Sequence, residues 1–188
     1  METFEEIEYS VENALGETEY NTNEFLDCTF TGLNLSDFQF NQARFIGCQF
    51  DACSLSNAKL VGSSFRSVQF KQCKLVGVNF STISSQMSLD FESCLMDYSV
   101  FQALKLESCS FINCSLKSAD FSGSFLKNTS FSQSDLEGTV FNGCDLQKAD
   151  LRQAVNYHID VEHTLIKGAK FSIPQVLALL NSFEIEIE

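Results

Sequence analysis

Residues Phe101 to Leu151 read FQALKLESCSFINCSLKSADFSGSFLKNTSFSQSDLEGTVFNGCDLQKADL, and every fifth residue from Phe101 onward is Phe or Leu. Extended back through Met96 to Phe91, this register holds thirteen consecutive apolar centres. An upstream run lies one residue out of that register: positions 25 to 80, taken by fives, hold twelve Phe or Leu. The residue two before each centre is mostly small or apolar, and all eight cysteines (Cys28, Cys48, Cys53, Cys73, Cys94, Cys109, Cys114 and Cys144) fall in this class. Confinement of that kind marks a position that points inward. The other three positions of each five are mostly Ser, Asn, Gln, Asp, Lys and Gly.

Helices and strands repeat their side chains every ~3.6 and ~2 residues, so neither produces a period of five. A chain that turns a corner every five residues does. Each pentapeptide then forms one short side, with its centre and its minus-two residue inside, and four sides make a coil. Successive coils pair like parallel strands at ~4.8 Å. The expected fold is all-β, a solenoid. Residues 20 apart should then stack, and they keep their type: Phe30, Phe50 and Phe70 continue as Phe91, Phe111 and Phe131, while Leu35, Leu55 and Leu75 continue as Met96, Leu116 and Leu136. The change of register therefore places one extra residue, a local bulge, somewhere in 81–90. About seven coils are expected between Asn13 and Ala154.

The triplets Ala119-Asp120-Phe121, Cys144-Asp145-Leu146 and Ala149-Asp150-Leu151 resemble the A(D/N)Lxx pattern of pentapeptide-repeat proteins, and the match covers roughly Asn13 to Ala154. The resemblance implies a right-handed quadrilateral β-helix. Residues 1–12 are expected to be an acidic N-terminal cap, residues 13–171 the β-helix with a looser segment at 155–170, and residues 172–188 a C-terminal module.

In that module Ser172-Ile173-Pro174 precedes Val176, Leu177, Leu179 and Leu180, which reads as a short helix with a capping Ser and Pro at its start. Phe183, Ile185 and Ile187 alternate with Glu184, Glu186 and Glu188, which reads as a strand. So short a helix must dock on something. Coils followed by helix and strand resemble the Qnr, MfpA and McbG type of gyrase-protecting proteins, in which such a tail joins two rods. This implies a homodimer through Val176, Leu177, Leu180, Phe183, Ile185 and Ile187. The alternative is a tail that only caps its own rod.

The chain has 188 residues, with 12 Lys+Arg against 25 Asp+Glu for a net charge of -13, which argues against direct nucleic-acid or membrane binding. The start, METFEEIEYS, has neither the basic nor the apolar region of a secretion signal, and no run approaches a membrane span, so a cytoplasmic protein with reduced cysteines is expected. The excess charge lies at the ends. Residues 1–23 hold seven Glu and no base, residues 24–152 hold 13 acids and 10 bases, and residues 153–188 hold five acids and two bases.

Catalysis would need a nucleophile, a base and an orienting group within reach of one another. Buried thiols among Phe and Leu are inert. The segment His158-Ile159-Asp160-Val161-Glu162-His163 invites a metal reading, yet its spacing matches no standard zinc signature and a solvated loop is the competing reading. The glycines are singletons at corners, none in a phosphate-cradling loop. The expectation is a protein without catalytic residues, cofactor or small-molecule substrate.

Two functions remain open. The resemblance implies DNA mimicry toward DNA gyrase or topoisomerase IV, and the acids for it would be Glu2, Glu5, Glu6, Glu8, Glu12, Glu17 and Glu19 at the end, or Asp97, Asp135 and Glu137 beside the Leu ladder. The other is a scaffold with an unrelated protein partner. Lys59, Arg66, Lys71 and Lys74 interrupt any continuous acidic stripe, and the long projecting loops of Qnr-type members are missing from this sequence.

Overall fold

The computed structural model of the chain describes residues 1–84 and 88–183. They form a β-solenoid of about eight turns. Every pairing between coils is parallel and falls on one of four faces. The first face carries β1 (Thr3–Glu5), β3 (Glu24–Leu26), β5 (Arg44–Ile46) and β7 (Ser64–Arg66), and continues through the bridges Lys105 to Phe125 to Asp145 to Leu165. The second carries β2 (Glu8–Tyr9), β4 (Thr29–Thr31), β6 (Gln49–Asp51), β8 (Val68–Lys71), β9 (Leu89–Glu92) and β10 (Ser110–Ile112) in one sheet. Further along it, β11 (Asp150–Leu151) pairs with β12 (Lys170–Phe171). The third and fourth faces are ladders of single bridges, such as Asn34 to Ser54 to Lys74 to Leu95 and Gln39 to Lys59.

The core is two kinds of column. On the second face Phe30, Phe50, Phe70, Phe91, Phe111 and Phe131 form offset stacks with near-parallel planes and centroids 4.6 to 5.2 Å apart, close to the strand spacing. The fourth face has its own column, Phe80, Phe101, Phe121 and Phe141, which meets the first edge-on, as where Phe111 and Phe121 lie 5.4 Å apart at 90°. Both geometries are the ones aromatic quadrupoles favour. The Leu35, Leu55, Leu75, Met96, Leu116, Leu136 ladder is equally buried.

The minus-two residue has a specific job. Its hydroxyl or thiol donates a hydrogen bond to the carbonyl of a centre, in most coils one coil back, as Cys48 Sγ to Phe25 at 3.3 Å, Ser134 Oγ to Phe111 at 2.9 Å and Thr129 Oγ1 to Leu106 at 2.7 Å, and at Ser63 and Ser99 to that of the preceding centre of the same coil. Cys, Ser and Thr are therefore interchangeable there, being small, buried and able to donate. All eight cysteines are buried and free. Burial pushes the Cys48 thiol up to about 12 and those of Cys109 and Cys144 to about 11, so these thiols stay protonated and unreactive.

Just before the centre, Asp or Asn accepts the amide of the residue just after it, as Asp120 does from Ser122 at 2.8 Å and Asp145 from Gln147 at 3.0 Å. This is the physical content of the Ala-Asp-Leu triplet: a small inward residue, a cap for the corner, then an apolar centre. The residue two after the centre turns the corner at positive φ. Gly77 fits because a Cβ there would lie 2.6 Å from Asn57 Oδ1.

Two boundaries differ from the sequence reading. Residues 1–12 are not a separate cap, because β1 and β2 already pair with β3 and β4, with Phe4 opposite Phe25 and Tyr9 opposite Phe30. At Ser84 the chain still keeps the upstream register, its N–H bonding Ser63 O as the Ser64 N–H bonds Ala43 O, and at Leu89 the register has moved on by one, Leu89 pairing with Val68. The looser segment 155–170 keeps its stacking at Val155, Leu165 and Lys170, and its minus-two residues Ile159 and Thr164 are buried.

At the C-terminus a 3-10 helix spans Gln175–Phe183 and packs Ala178 and Leu179 against the core. Ser172 does not cap it, for its hydroxyl accepts the Gln153 amide at 3.1 Å. Phe183 closes this helix, and Ile185 and Ile187, with the rest of the expected strand, lie outside the described residues. Among the described residues no helix is long and apolar enough to cross a membrane.

Candidate partner-binding surface

Four faces sort the charges in a way the linear sequence hides. Beyond the first coil, the first face holds Arg44, Arg66, Lys105, Lys127, Lys148 and Lys167 against Glu24, Asp27, Glu107 and Asp145. The third and fourth faces hold Asp37, Asp97, Asp135, Glu137, Asp120, Asp160 and Glu162 against Lys59, Lys74 and Lys117. The rod is thus basic along one face and acidic across two others. Lys59, Arg66, Lys71 and Lys74 lie on four different faces of one coil, a belt around the rod.

The candidate acids fall into two groups at different places. Glu2, Glu5, Glu6, Glu8, Glu12, Glu17 and Glu19 are all exposed on the first coil, where β1, β2 and the helical turn α1 (Glu17–Tyr20) hold them. Among residues 1–23 there is no Lys or Arg to neutralise them. A DNA duplex carries one charge per ~1.7 Å of axis, or about three per coil height of ~4.8 Å. The seven carboxylates of this single coil exceed that density.

Asp97, Asp135 and Glu137 come together on the third face around Lys117. Lys117 Nζ lies 3.1 Å from Asp135 Oδ2 and 2.8 Å from Glu137 Oε2. Asp97 Oδ1 accepts the Lys117 amide at 3.0 Å and the Ser115 hydroxyl at 2.6 Å. The two carboxylates raise the Lys117 ammonium above its ordinary range. At Asp135 burial works upward, but hydrogen bonds from Asn156 and Lys117 outweigh it and hold the carboxyl below its ordinary value. This cluster is therefore one third neutralised, three carboxylates against one ammonium, and partly committed to the corners of its own coils, and exposed pairs of this kind contribute little stability.

The histidine segment divides. His163 Nδ1 pairs with Asp160 Oδ2 at 2.7 Å in the open, which lowers the carboxyl and raises the imidazole, while His158 is exposed on its own. Among the described residues no group of three or more His, Cys, Asp or Glu is placed to hold a metal ion. The tail residues Leu177 and Phe183 are about half exposed, and Val176 and Leu180 are partly buried. Sequence reasoning missed the basic first face. Its signal, lysines near 20 residues apart beside Phe125 and Leu165, becomes visible only once sides are assigned.

The sequence matches the family model described as pentapeptide repeat region over residues 12–80 and 104–174. None of the curated protein sequences matches the chain. Among solved structures, a trypsin-treated form of QnrB1, described as a plasmid-mediated fluoroquinolone resistance protein, is similar with a TM-score of 0.65 at 17% identity, covering 100% of this chain and 99% of that one. HetL from the cyanobacterium Nostoc, described as involved in heterocyst differentiation regulation, is similar with a TM-score of 0.53 at 17% identity, covering 89% of this chain and 84% of that one. At these identities the likeness is one of fold.

Proposed function

The chain belongs to the pentapeptide-repeat family, and on that premise we propose that it is a non-enzymatic, cytoplasmic binding protein whose acidic first coil occupies a basic, DNA-binding surface of a type II topoisomerase such as gyrase. The observation that carries this reading is the charge density of the first coil: seven exposed Glu and no base among residues 1–23. The fold likeness to a fluoroquinolone resistance protein supports the same direction. From residue 20 to residue 183 fifteen acids face twelve bases, too even a balance for the flank of the rod to stand in for a duplex along its length.

The rod works as a homodimer joined through the C-terminal module, where Leu177 and Phe183 are exposed at the end of the solenoid. Supercoiling by purified gyrase, with and without a quinolone, tests the function: added protein inhibits supercoiling or relieves the drug. The variant carrying Gln at all seven N-terminal Glu positions does neither. Failure of the wild-type protein in both assays at tens of micromolar, with the dimer intact, moves the reading to a scaffold with an unrelated partner. The near balance of charge beyond the first coil is what favours that second reading.

A further inference from the structure

The first face carries a patch that the acidic reading leaves unused. Phe125 and Leu165 occupy outward positions on one bridge ladder and are 48% and 59% exposed. Around them Lys127, Lys148 and Lys167 sit on three successive coils, all exposed and without an ion pair to any described residue. Elsewhere Lys117, Arg152 and Arg44 do find carboxylates. Apolar anchors with Asp145 between them and a column of free lysines along one side, in a chain of net charge -13, fit an extended acidic peptide that sets apolar side chains on the anchors and carboxylates on the lysine side.

The chain contains such a peptide. Residues 184–188, outside the described residues, read EIEIE and follow Phe183 in the sequence. In extended form their Ile side chains share one edge and their carboxylates the other. We propose that residues 184–188 of a second copy dock on the first face, with Ile185 and Ile187 against Leu165 and Phe125 and the Glu side chains beside Lys127, Lys148 and Lys167. A second copy is favoured over the chain's own tail because Phe183 to Glu188 contains no Gly, Pro, Asn or Asp to reverse the chain onto its own rod. The partner then completes the patch, and the exchange is reciprocal across a two-fold axis.

The inference rests on the dimeric reading, and charge reversal of the full chain separates the two. Sedimentation velocity is run on the wild type, on a face variant (Lys127→Glu, Lys148→Glu, Lys167→Glu) and on a tail variant (Glu184→Lys, Glu186→Lys, Glu188→Lys). Each variant should weaken dimerisation about tenfold or more. Mixed, they should form a heterodimer, since wild-type tail then meets wild-type face and reversed tail meets reversed face. A monomeric wild type overturns the dimeric reading itself. A wild-type dimer that neither variant weakens overturns this inference alone. Rescue only when both reversals are placed in one chain, with no heterodimer from the mixture, overturns docking on a second copy. Circular dichroism of each variant confirms that a lost dimer is not a lost fold.

Discussion

Phe111 lies between Phe91 and Phe131 at 5.0 and 5.2 Å and edge-on to Phe121. Removing its ring opens a hole that rigid neighbouring coils cannot close, so Phe111→Ala should cost about 3 to 5 kcal/mol in denaturant unfolding. Tyr20 is fully buried and its hydroxyl has no hydrogen-bond partner among the described residues, so Tyr20→Phe should leave stability unchanged or raise it by about 1 kcal/mol. Asp135 carries a depressed pKa, hence its ionised form contributes stability above the ordinary carboxylate pKa, lost as pH falls through the lower folded value. Carbon NMR titration should give Asp135 a midpoint below its ordinary 3.8, and Lys117→Met should move that midpoint upward. At this scale the sequence was readable where one force acts. Phe, Leu and Cys recur by fives because burial alone decides those positions, whereas the pairing of Asp97, Asp135 and Glu137 with Lys117 depends on which coils touch.

The elements that escaped the sequence reading did so through single extra residues. Phe4 and Tyr9 lie 21, not 20, before Phe25 and Phe30, so a count by fives passes over them and the first coil reads as a loose cap. The second such insertion was visible as a shift between two long runs, and the pairings bracket it between Ser84, still in the upstream register, and Leu89, already in the downstream one. In the tail, the apolar residues of Gln175–Phe183 announced a helix, but not its 3-10 geometry or the diversion of Ser172 to Gln153. That helix packs Ala178 and Leu179 against the core and leaves Leu177 and Phe183 exposed. With the proposed homodimer, deleting residues 173–188 should therefore leave a monomer of about half the wild-type mass by light scattering, with the solenoid's far-ultraviolet signal retained. An unchanged mass would mean that the tail only closes its own rod.

Across the whole molecule, one end is strongly acidic, two faces are mildly acidic and one face is basic. The acidic end is also an open edge of parallel strands, β1 and β2, where like charge discourages rods from stacking on one another. Both consequences follow from one concentration of Glu, and only binding distinguishes a contact surface from a guarded edge. The most direct measurement is the salt dependence of binding to gyrase holoenzyme, with three proteins compared by the slope of log affinity against log salt. Wild type should bind with a steep slope. Glu→Gln replacement at positions 2, 5, 6, 8, 12, 17 and 19 should abolish most of that slope, while Asp97→Asn with Asp135→Asn and Glu137→Gln should leave it nearly intact. A slope unchanged by the seven N-terminal replacements but lost with the third-face replacements would contradict the account and move the contact to the flank of the rod.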